Sequence, residues 1–541
     1  MIRVKHRIFA TPQEFVTTNV DFERRSRMPL LKCPRTLQTS CLDAVCRLPQ
    51  EEWDRPHIAT WLPKIISGIN QPHNLSANLY QALLNHLIQS EQLQSWHLHY
   101  VAHESVRCLR LDKCRNVLDN DSALLISLHC RNLQDIYINS CKQLPLLGVS
   151  FLCHHPSLTI LDITGTKAND ETMAILANGC PELQKLDMSS TEVTDIGLFE
   201  LCGLRESGTG CKKLYRLIIH SIQVTLFGLS YVIKALKQLK QLGTDLNTGL
   251  VLYGIYHDYL MYNLPLNPLK LDYVSFSSRH MLDSLPVPAS YIKALRICPN
   301  LTGLVLRSAM LANIDEEILQ SLTLLKTLEV EEDEYREHTF QTVVVPFLSR
   351  IGAKMEDLTF TGFSDVDLLA VSIHCPKVDI LTLENTQGFA EQPAQQVNDS
   401  AFQNLKSFFV EIAYEELQEP IRYQLGHVLK NAPNVSILHL WGVDCITDDF
   451  MTDVMKHNKF EFLRSLRLID CPSVTRKTVE ALMNAENRFA ELIVDSCDKL
   501  KKTDLEELKK LAKSKNLSLT VIQGWGKPEE ANNEEAQWLA M

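Results

Sequence analysis

One short pattern, apolar-x-x-apolar-x-apolar, returns about every 25 residues along this 541-residue chain. It reads Leu-x-x-Leu-x-Ile over residues 158–163 and Leu-x-x-Leu-x-Leu over residues 463–468. The end of each copy alternates apolar and polar residues, which predicts a short strand with one buried face. A lone strand of this length cannot bury that face, so neighbouring copies must stack around a shared core.

The copies run through most of the chain, and several are followed by a polar turn and a helix-like stretch. They begin at Val106, Leu133, Leu158, Leu183, Leu214, Leu239, Leu266, Leu301, Leu325, Met355, Val378, Leu405, Val435, Leu463 and Phe489. The long step from Leu266 to Leu301 predicts an insertion. Pattern and period are those of the leucine-rich repeat. The sequence therefore predicts an α/β leucine-rich-repeat solenoid, a curved parallel sheet with outer helices, preceded by a small helical N-terminal segment.

Eight of the sixteen cysteines of the chain occupy fixed places in the repeat. Four follow a strand motif by three residues, namely Cys114, Cys141, Cys471 and Cys497, and four stand just before one, namely Cys130, Cys180, Cys298 and Cys375. Cysteine held at such positions behaves as a small buried hydrophobe. With no secretion signal at the N-terminus, we expect reduced thiols and a cytoplasmic or nuclear protein.

Composition and motifs narrow the classes of function. A formal net charge of −11 argues against general nucleic-acid binding, which needs a basic surface. No apolar run reaches the roughly 18 residues of a membrane span. The sequence contains no phosphate-binding loop, nucleophile elbow or zinc-protease motif, and Cys153-His154-His155 lacks a second ligand pair at metal-binding spacing. We expect a protein that binds other proteins, with no enzyme activity, metal or cofactor.

The chain divides into four parts by pattern. Residues 1–28 are expected to be a flexible N-terminus, and residues 29–100 a helical segment that acts as a cap or a docking module. The solenoid is expected over 101–523, with an irregular region at 240–300 whose tyrosines fall at helical spacing. Residues 524–541 read as a flexible C-terminal tail.

One string in the helical segment matches a known docking motif. Thr36, Leu37, Cys41 and Val45 fit the elongin-binding box of ubiquitin-ligase receptors, which has a small residue, leucine, cysteine and an apolar residue at this spacing. The last three are four residues apart, so they share one helix face that a partner groove can accept. The alternative is that this face packs on the first repeat as part of a cap.

A box of this kind directly before leucine-rich repeats resembles the Zyg/Zer-type substrate receptors of cullin-2 ubiquitin ligases. The resemblance implies elongin B/C and a cullin as partners, with the cullin contacting Leu75, Leu79 and Leu83. Ser76 stands where that family has proline in its cullin motif, and residues 62–70 keep a proline but end on a polar residue. The family also carries an armadillo-like domain that the present sequence lacks, so its substrate is not carried over.

A related resemblance is to F-box leucine-rich-repeat receptors, which share cysteine-containing repeats. Leu48-Pro49 has the opening of an F-box, but Glu52 falls where a buried residue should follow. The elongin box therefore fits better than the F-box.

The outward strand residues, which alternate with the buried ones, define the candidate binding face. In the C-terminal repeats we select His439, Trp441, Arg467 and Asp495 as candidate substrate-binding residues. Trp441 beside Arg467 is the expected centre, because Trp and Arg are enriched at binding hot spots. A Trp that only covers an irregular repeat edge is the alternative.

Together these observations predict a non-catalytic substrate-recognition subunit of a cullin–RING ubiquitin ligase, with a protein substrate held by the repeats. An intracellular leucine-rich-repeat scaffold without a ubiquitin role is the alternative.

Overall fold

The computed structural model describes residues 46, 75–111, 117–203, 210–263, 267–276, 288–333, 337–391, 402–413, 418–484, 489–514 and 520–523. Internal contacts divide the chain into two units, whose boundary in sequence lies between His338 and Thr339.

The unit that ends at His338 alternates strands and helices. Its strands are β1 (Cys108–Arg110), β2 (Asp135–Tyr137), β3 (Ile160–Asp162), β4 (Lys185–Asp187), β5 (Arg216–Ile219), β6 (Gln241–Thr244), β7 (Tyr273–Ser275), β8 (Gly303–Arg307) and β9 (Thr327–Glu331). Its α-helices are α1 (Leu75–Gln89), α2 (Leu98–Val101), α3 (Asn120–His129), α4 (Leu146–Leu152), α5 (Asp170–Gly179), α6 (Asp195–Leu201), α7 (Leu226–Ala235), α8 (Thr248–Met261), α9 (Ser308–Leu311) and α10 (Glu316–Ser321). Short 3₁₀ segments cover Ser95–His97 and Ala289–Ile297.

The unit that begins at Thr339 repeats the same arrangement. Its strands are β10 (Asp357–Thr361), β11 (Ile380–Thr386), β12 (Ser407–Ile412), β13 (Ile437–Trp441), β14 (Ser465–Ile469), β15 (Glu491–Asp495) and β16 (Thr520–Gln523). Its α-helices are α11 (Val345–Ile351), α12 (Leu368–His374), α13 (Gln418–Asn431), α14 (Asp448–His457), α15 (Arg476–Asn484) and α16 (Lys502–Ser514). A π-helical turn over Phe340–Val344 precedes α11, and a 3₁₀ turn over Gly352–Lys354 follows it.

All strand pairing within each unit is parallel and follows chain order. Strands β1 to β6 pair in sequence, β7 to β9 form a second run, and β10 to β16 form the run of the other unit. Parallel neighbours need a crossover, and here each crossover carries a turn and usually a helix. The structure confirms the predicted α/β leucine-rich-repeat solenoid.

The repeated apolar positions form the core, as the pattern predicts. In the repeat that starts at Leu463, the residues Leu463, Leu466 and Leu468 are at most 2 % exposed, while Ser465 and Arg467 between them are half-buried. Burying a leucine side chain of this kind contributes about 1.5–3 kcal/mol relative to leaving it in water. The alternation therefore assigns one face of every strand to the core and leaves the other for contacts.

The repeat predicted at Leu266 is the one whose register was wrong. Strand β7 places Val274 at its centre, and Leu271, Val274 and Phe276 are all at most 1 % exposed. The motif therefore starts at Leu271, and the long step before Leu301 disappears. The sequence also contains an apolar triplet that starts five residues earlier, at Leu266, Leu269 and Leu271. It shares Leu271 with the correct motif and therefore led to the error.

The described residues of the region 240–300 include strands β6 and β7, the long helix α8 between them and the 3₁₀ segment Ala289–Ile297. Of its regularly spaced tyrosines, Tyr256 is buried, Tyr253 stacks on Tyr291 with ring centroids 3.6 Å apart, and Tyr262 is 73 % exposed. The first two tyrosines of α8 are therefore packed against the fold, and the last is exposed.

Most regular repeats leave the sheet through a residue in the left-handed region. This residue lies seven positions after the first apolar residue of the motif, and its φ is between +47° and +85°: Ser140, Gly165, Ser190, Ser221, Gly362, Asn385, Gly442, Asp470 and Ser496. Such a backbone suits glycine and asparagine, and other residues adopt it at a cost. It follows the end of the strand in all of these repeats except that of β11, which continues through Asn385 to Thr386.

Acidic side chains link the helices of consecutive repeats. Thr194 caps α6, and Asp170 of the preceding repeat accepts hydrogen bonds from the Thr194 N–H and hydroxyl at 2.8 Å. Asp448 likewise accepts from the hydroxyls of Thr475 at 2.8 Å and Thr478 at 2.7 Å. These aspartates therefore stabilise the cap of the next helix along the chain.

The cysteines that the sequence placed in the core are buried. Cys130, Cys141, Cys180, Cys298, Cys375 and Cys471 are at most 2 % exposed, Cys497 is 7 % exposed, and none of them forms a disulfide with another described residue. Cys114 lies outside the described residues. Burial raises the pKa of Cys298 to about 12. These side chains thus act as small core residues.

Candidate functional site

The four elongin-box residues, Thr36, Leu37, Cys41 and Val45, lie outside the described residues, and so does the F-box-like string at Leu48. The predicted docking of the elongin box therefore stays a prediction.

The predicted cullin contacts fall on α1. Leu75 and Leu79 belong to this helix, and Leu83 is 1 % exposed in the core beside the first repeat. The Oε1 atom of Gln81 accepts hydrogen bonds from the backbone N–H groups of Arg107 and Cys108, both at 3.0 Å. Its Nε2 donates to the Cys108 carbonyl at 2.6 Å. The helix thus covers the edge of β1, and a partner can reach Leu83 only if this packing opens.

The four candidate substrate-binding residues lie on the strand face of β13 to β15. His439 is in register with Arg467, while Trp441 is in register with Ile469, and Ile469 with Asp495. Trp441 and Arg467 are therefore diagonal neighbours on adjacent strands, and their predicted role as the centre of a hot spot stays a prediction. Residues at the same offset in successive motifs become direct register partners. The motif numbering therefore already contained the pairing of Trp441 with Ile469, which sequence reasoning missed.

Two rows of outward residues cross these strands. We call Phe409, His439, Arg467 and Ile493 the His439 row, and Glu411, Trp441, Ile469 and Asp495 the Trp441 row. All eight are half-buried.

His439 is neutral in this setting. Burial and the positive charge of Arg467 lower the pKa of the imidazole to about 3. The ring packs edge-on against Phe409, with centroids 5.9 Å apart. The middle of the His439 row therefore presents an uncharged aromatic surface beside one cation.

The Trp441 row has an apolar centre between two carboxylates. Glu411 occupies one end, and burial raises the pKa of its carboxyl, although the Asn385 N–H donates to its Oε2 at 3.4 Å. Asp495 occupies the other end, where the Ser496 hydroxyl donates to its Oδ1 at 3.3 Å. Trp441 and Ile469 lie between them. A large aromatic next to an aliphatic residue, with charged groups at the border, is the composition of a protein-binding hot spot.

On the strand face of the unit that ends at His338, aspartate side chains accept hydrogen bonds from the turns that follow their own strands. Asp162 accepts from the Thr164 N–H at 3.0 Å, and Asp187 accepts from the Ser189 N–H at 3.0 Å and hydroxyl at 2.7 Å. These carboxylates hold the turn after their strands. The acids of the Trp441 row are less occupied by the fold, which makes that row the stronger candidate.

Over the part of the chain that the structure describes, no group of three or more His, Cys, Asp or Glu side chains is arranged to hold a metal ion. Within the same residues, the helices are too short or too polar to meet the criteria for a membrane span.

No protein-family model and no curated protein matches the chain. Solved structures with similar folds include the yeast Rad7–Elc1 complex, with 13 % identity, 91 % of this chain and 98 % of that chain covered, and a TM-score of 0.40. An internalin of Listeria monocytogenes shows 12 % identity over 83 % of this chain and 94 % of its own, with a TM-score of 0.32. The TLR13–ssRNA13 complex shows 13 % identity over 77 % and 47 %, with a TM-score of 0.28. At this level, these similarities define neither a family nor a partner; the fold assignment rests on the strands and helices themselves.

Proposed function

We propose that this chain is the non-catalytic substrate-recognition subunit of a cullin–RING ubiquitin ligase. In this proposal, Leu37, Cys41 and Val45 bind elongin, and the leucine-rich repeats hold a protein substrate. The receptor supplies proximity and orientation, while other subunits carry the ubiquitin chemistry. The complex would act in the cytoplasm or the nucleus.

The observation that carries this proposal is the elongin-box string placed directly before a leucine-rich-repeat solenoid. The spacing of Leu37, Cys41 and Val45 gives a narrow apolar helix face with a small residue at its centre, which permits close approach to a groove. The half-buried Trp441 row supports the second half of the proposal, because solenoids commonly bind proteins on such repeated surfaces.

The test is recovery of partners by the tagged full chain in cells, followed by immunoblotting for elongin C and cullins. The double variant Leu37→Ala/Cys41→Ala should lose elongin and cullin together. The matched control, Gln38→Ala/Thr39→Ala, changes two neighbouring positions of the same string off the apolar face and should retain both. Absence of elongin from the unsubstituted chain, or equal recovery by the double variant, would overturn the proposal.

A leucine-rich-repeat scaffold without a ubiquitin role is the second candidate, and the packing of α1 favours it. Gln81 ties α1 to the edge of β1, as expected of a helix that caps a solenoid. Under this alternative, the full chain recovers neither elongin nor a cullin, so deleting residues 1–74, which leaves α1 in place, should not change their recovery. Loss of elongin on the same deletion would favour the ligase subunit.

A further inference from the structure

The Trp441 row has a geometry that defines the chemistry of a bound segment. Glu411, Trp441, Ile469 and Asp495 are successive register partners on β12, β13, β14 and β15. Neighbouring strands lie about 4.8 Å apart, so the two carboxylates are separated by about 14 Å. The apolar pair fills the interval between them.

An extended peptide that crosses the strands matches this spacing. It advances roughly 3.4 Å per residue and turns every second side chain to the same side, so residues i and i+4 are about 14 Å apart. Side chain i+2 then reaches the surface midway, over Trp441 and Ile469. We propose that the Trp441 row binds an extended protein segment of the form basic-x-aliphatic-x-basic, with arginine or lysine at the two ends.

The charge of the whole strand face agrees with a cationic partner. The outward positions described for β10 to β15 carry one cationic side chain, Arg467. They carry five carboxylates, on Asp357, Glu384, Glu411, Glu491 and Asp495. The carboxylate of Glu411 is partly buried and has therefore already lost part of its hydration. An ion pair with a cationic side chain of the partner would compensate for that loss. The same charges repel the phosphates of a nucleic acid.

A second observation lies at the end of the neighbouring His439 row, where Thr382 of β11 is in register with Phe409. Thr382 alternates with the core residues Leu381 and Leu383, so its side chain is on the strand face. The residue is 1 % exposed, and its hydroxyl has no hydrogen-bond partner among the residues that the structure describes. A buried hydroxyl without a partner costs about 1–3 kcal/mol. A peptide carbonyl on this face can accept from it only after the side chain turns outward, because the hydroxyl is buried in the structure.

This inference rests on the proposed function, because it names the partner of the same strand face. The probe is a fluorescein-labelled peptide with the core Arg-Ser-Leu-Ser-Arg, measured by fluorescence anisotropy with the full chain. The matched peptide Ser-Arg-Leu-Arg-Ser has the same composition and charge but the wrong spacing. We expect the first peptide to bind at least tenfold more tightly. Equal binding of the two peptides would refute the proposed spacing of the basic residues, because it would show that only general charge attraction holds the peptide.

Variants of the row locate the binding. Glu411→Gln and Asp495→Asn should each weaken binding about fivefold, and Trp441→Ala at least tenfold. The control Glu491→Gln neutralises a carboxylate on the same strand as Asp495 but outside the row, and should change affinity less than twofold. Equal effects of Glu491→Gln and Asp495→Asn would contradict the proposal.

A reversal of charge guards against variants that merely misfold. The double variant Glu411→Arg/Asp495→Arg should reject the arginine peptide and gain binding to the corresponding Glu-Ser-Leu-Ser-Glu peptide. The same preparations are tested for elongin recovery. Loss of peptide specificity with elongin retained overturns only this inference, whereas absence of elongin with specific peptide binding overturns only the ligase proposal.

Discussion

Replacing Asp357 by Asn should make the chain more stable at pH 8 and should have little effect at pH 4. Asp357 begins β10 and is largely buried, and the Asp379 carboxylate nearby adds negative charge. Burial, followed by the charge of Asp379, raises the pKa of Asp357 from 3.8 to about 6. Asn has nearly the same shape and cannot ionise, so the substitution removes the charge and keeps the packing.

The magnitude follows from the difference in proton affinity. A folded pKa about two units above the unfolded value corresponds to about 3 kcal/mol at most, at 1.36 kcal/mol per unit. The folded state binds the proton more tightly, so the unfolded chain holds fewer protons between pH 4 and pH 6. The free energy of unfolding therefore falls as pH rises through this window and stays lower above it.

Urea unfolding of the full chain, followed by circular dichroism at several values from pH 4 to pH 8, measures the effect. The gap between Asp357→Asn and the unsubstituted chain should open between pH 4 and pH 6 and then remain constant. The same substitution at the exposed Asp498, Asp498→Asn, should show no such gap. A gap that does not depend on pH, or a less stable Asn variant at pH 8, would refute the assignment of a buried charge to Asp357.

Three further changes probe other features. Asp448→Ala removes the acceptor for Thr475 and for the 4 %-exposed Thr478, and should lower the free energy of unfolding by about 1–3 kcal/mol in urea titrations. Gly442→Ala places a Cβ at φ +68° and 2.6 Å from the carbonyl oxygen of Ile412, and should cost about 2–3 kcal/mol by the same assay. In mass-spectrometric labelling with iodoacetamide, the buried Cys298 should react only after denaturation, because burial raises its pKa to about 12.

Each of these three experiments has a control within the same protein. Asp449→Ala changes an exposed acid on the same first turn of α14 and should alter stability by less than 0.5 kcal/mol. Gly426→Ala adds a Cβ in α13 that meets Phe450 at an ordinary 3.4 Å and should be neutral or stabilising. Cys108 is partly exposed and should be labelled before Cys298 in the folded protein. The reverse order in any pair would contradict the corresponding reasoning.

The strand positions were predictable because the buried triplet is a local pattern. Leu463, Leu466 and Leu468 can be recognised from spacing alone, and the structure buries all three. The error at Leu266 shows the limit of the pattern. When apolar triplets overlap, as those starting at Leu266 and Leu271 do, only packing against the neighbouring strand decides which one faces the core.

The sequence was sufficient to predict which residues lie on the binding face. It was not used to predict which of them are paired across neighbouring strands. His439, Trp441, Arg467 and Asp495 all lie on strands at outward positions. Their grouping depends on parallel register, which joins residues at equal offset in successive repeats, so Ile469 joins Trp441 although it is a plain aliphatic residue. The effect of burial on His439 and Glu411 depends on the environment of each side chain, which the spacing of motifs does not describe.

The left-handed residue after each regular strand also determines where two such chains could be recombined. Between the first apolar residue and this position, adding or removing one residue would move side chains from the core to the opposite face and disrupt the phase of the repeat. Beyond Gly442 or Asp470 the chain has already left the sheet, so its length there can vary without that exchange. Chimeras of repeat proteins should therefore place their junctions directly after this residue, where each exchanged repeat keeps its own phase.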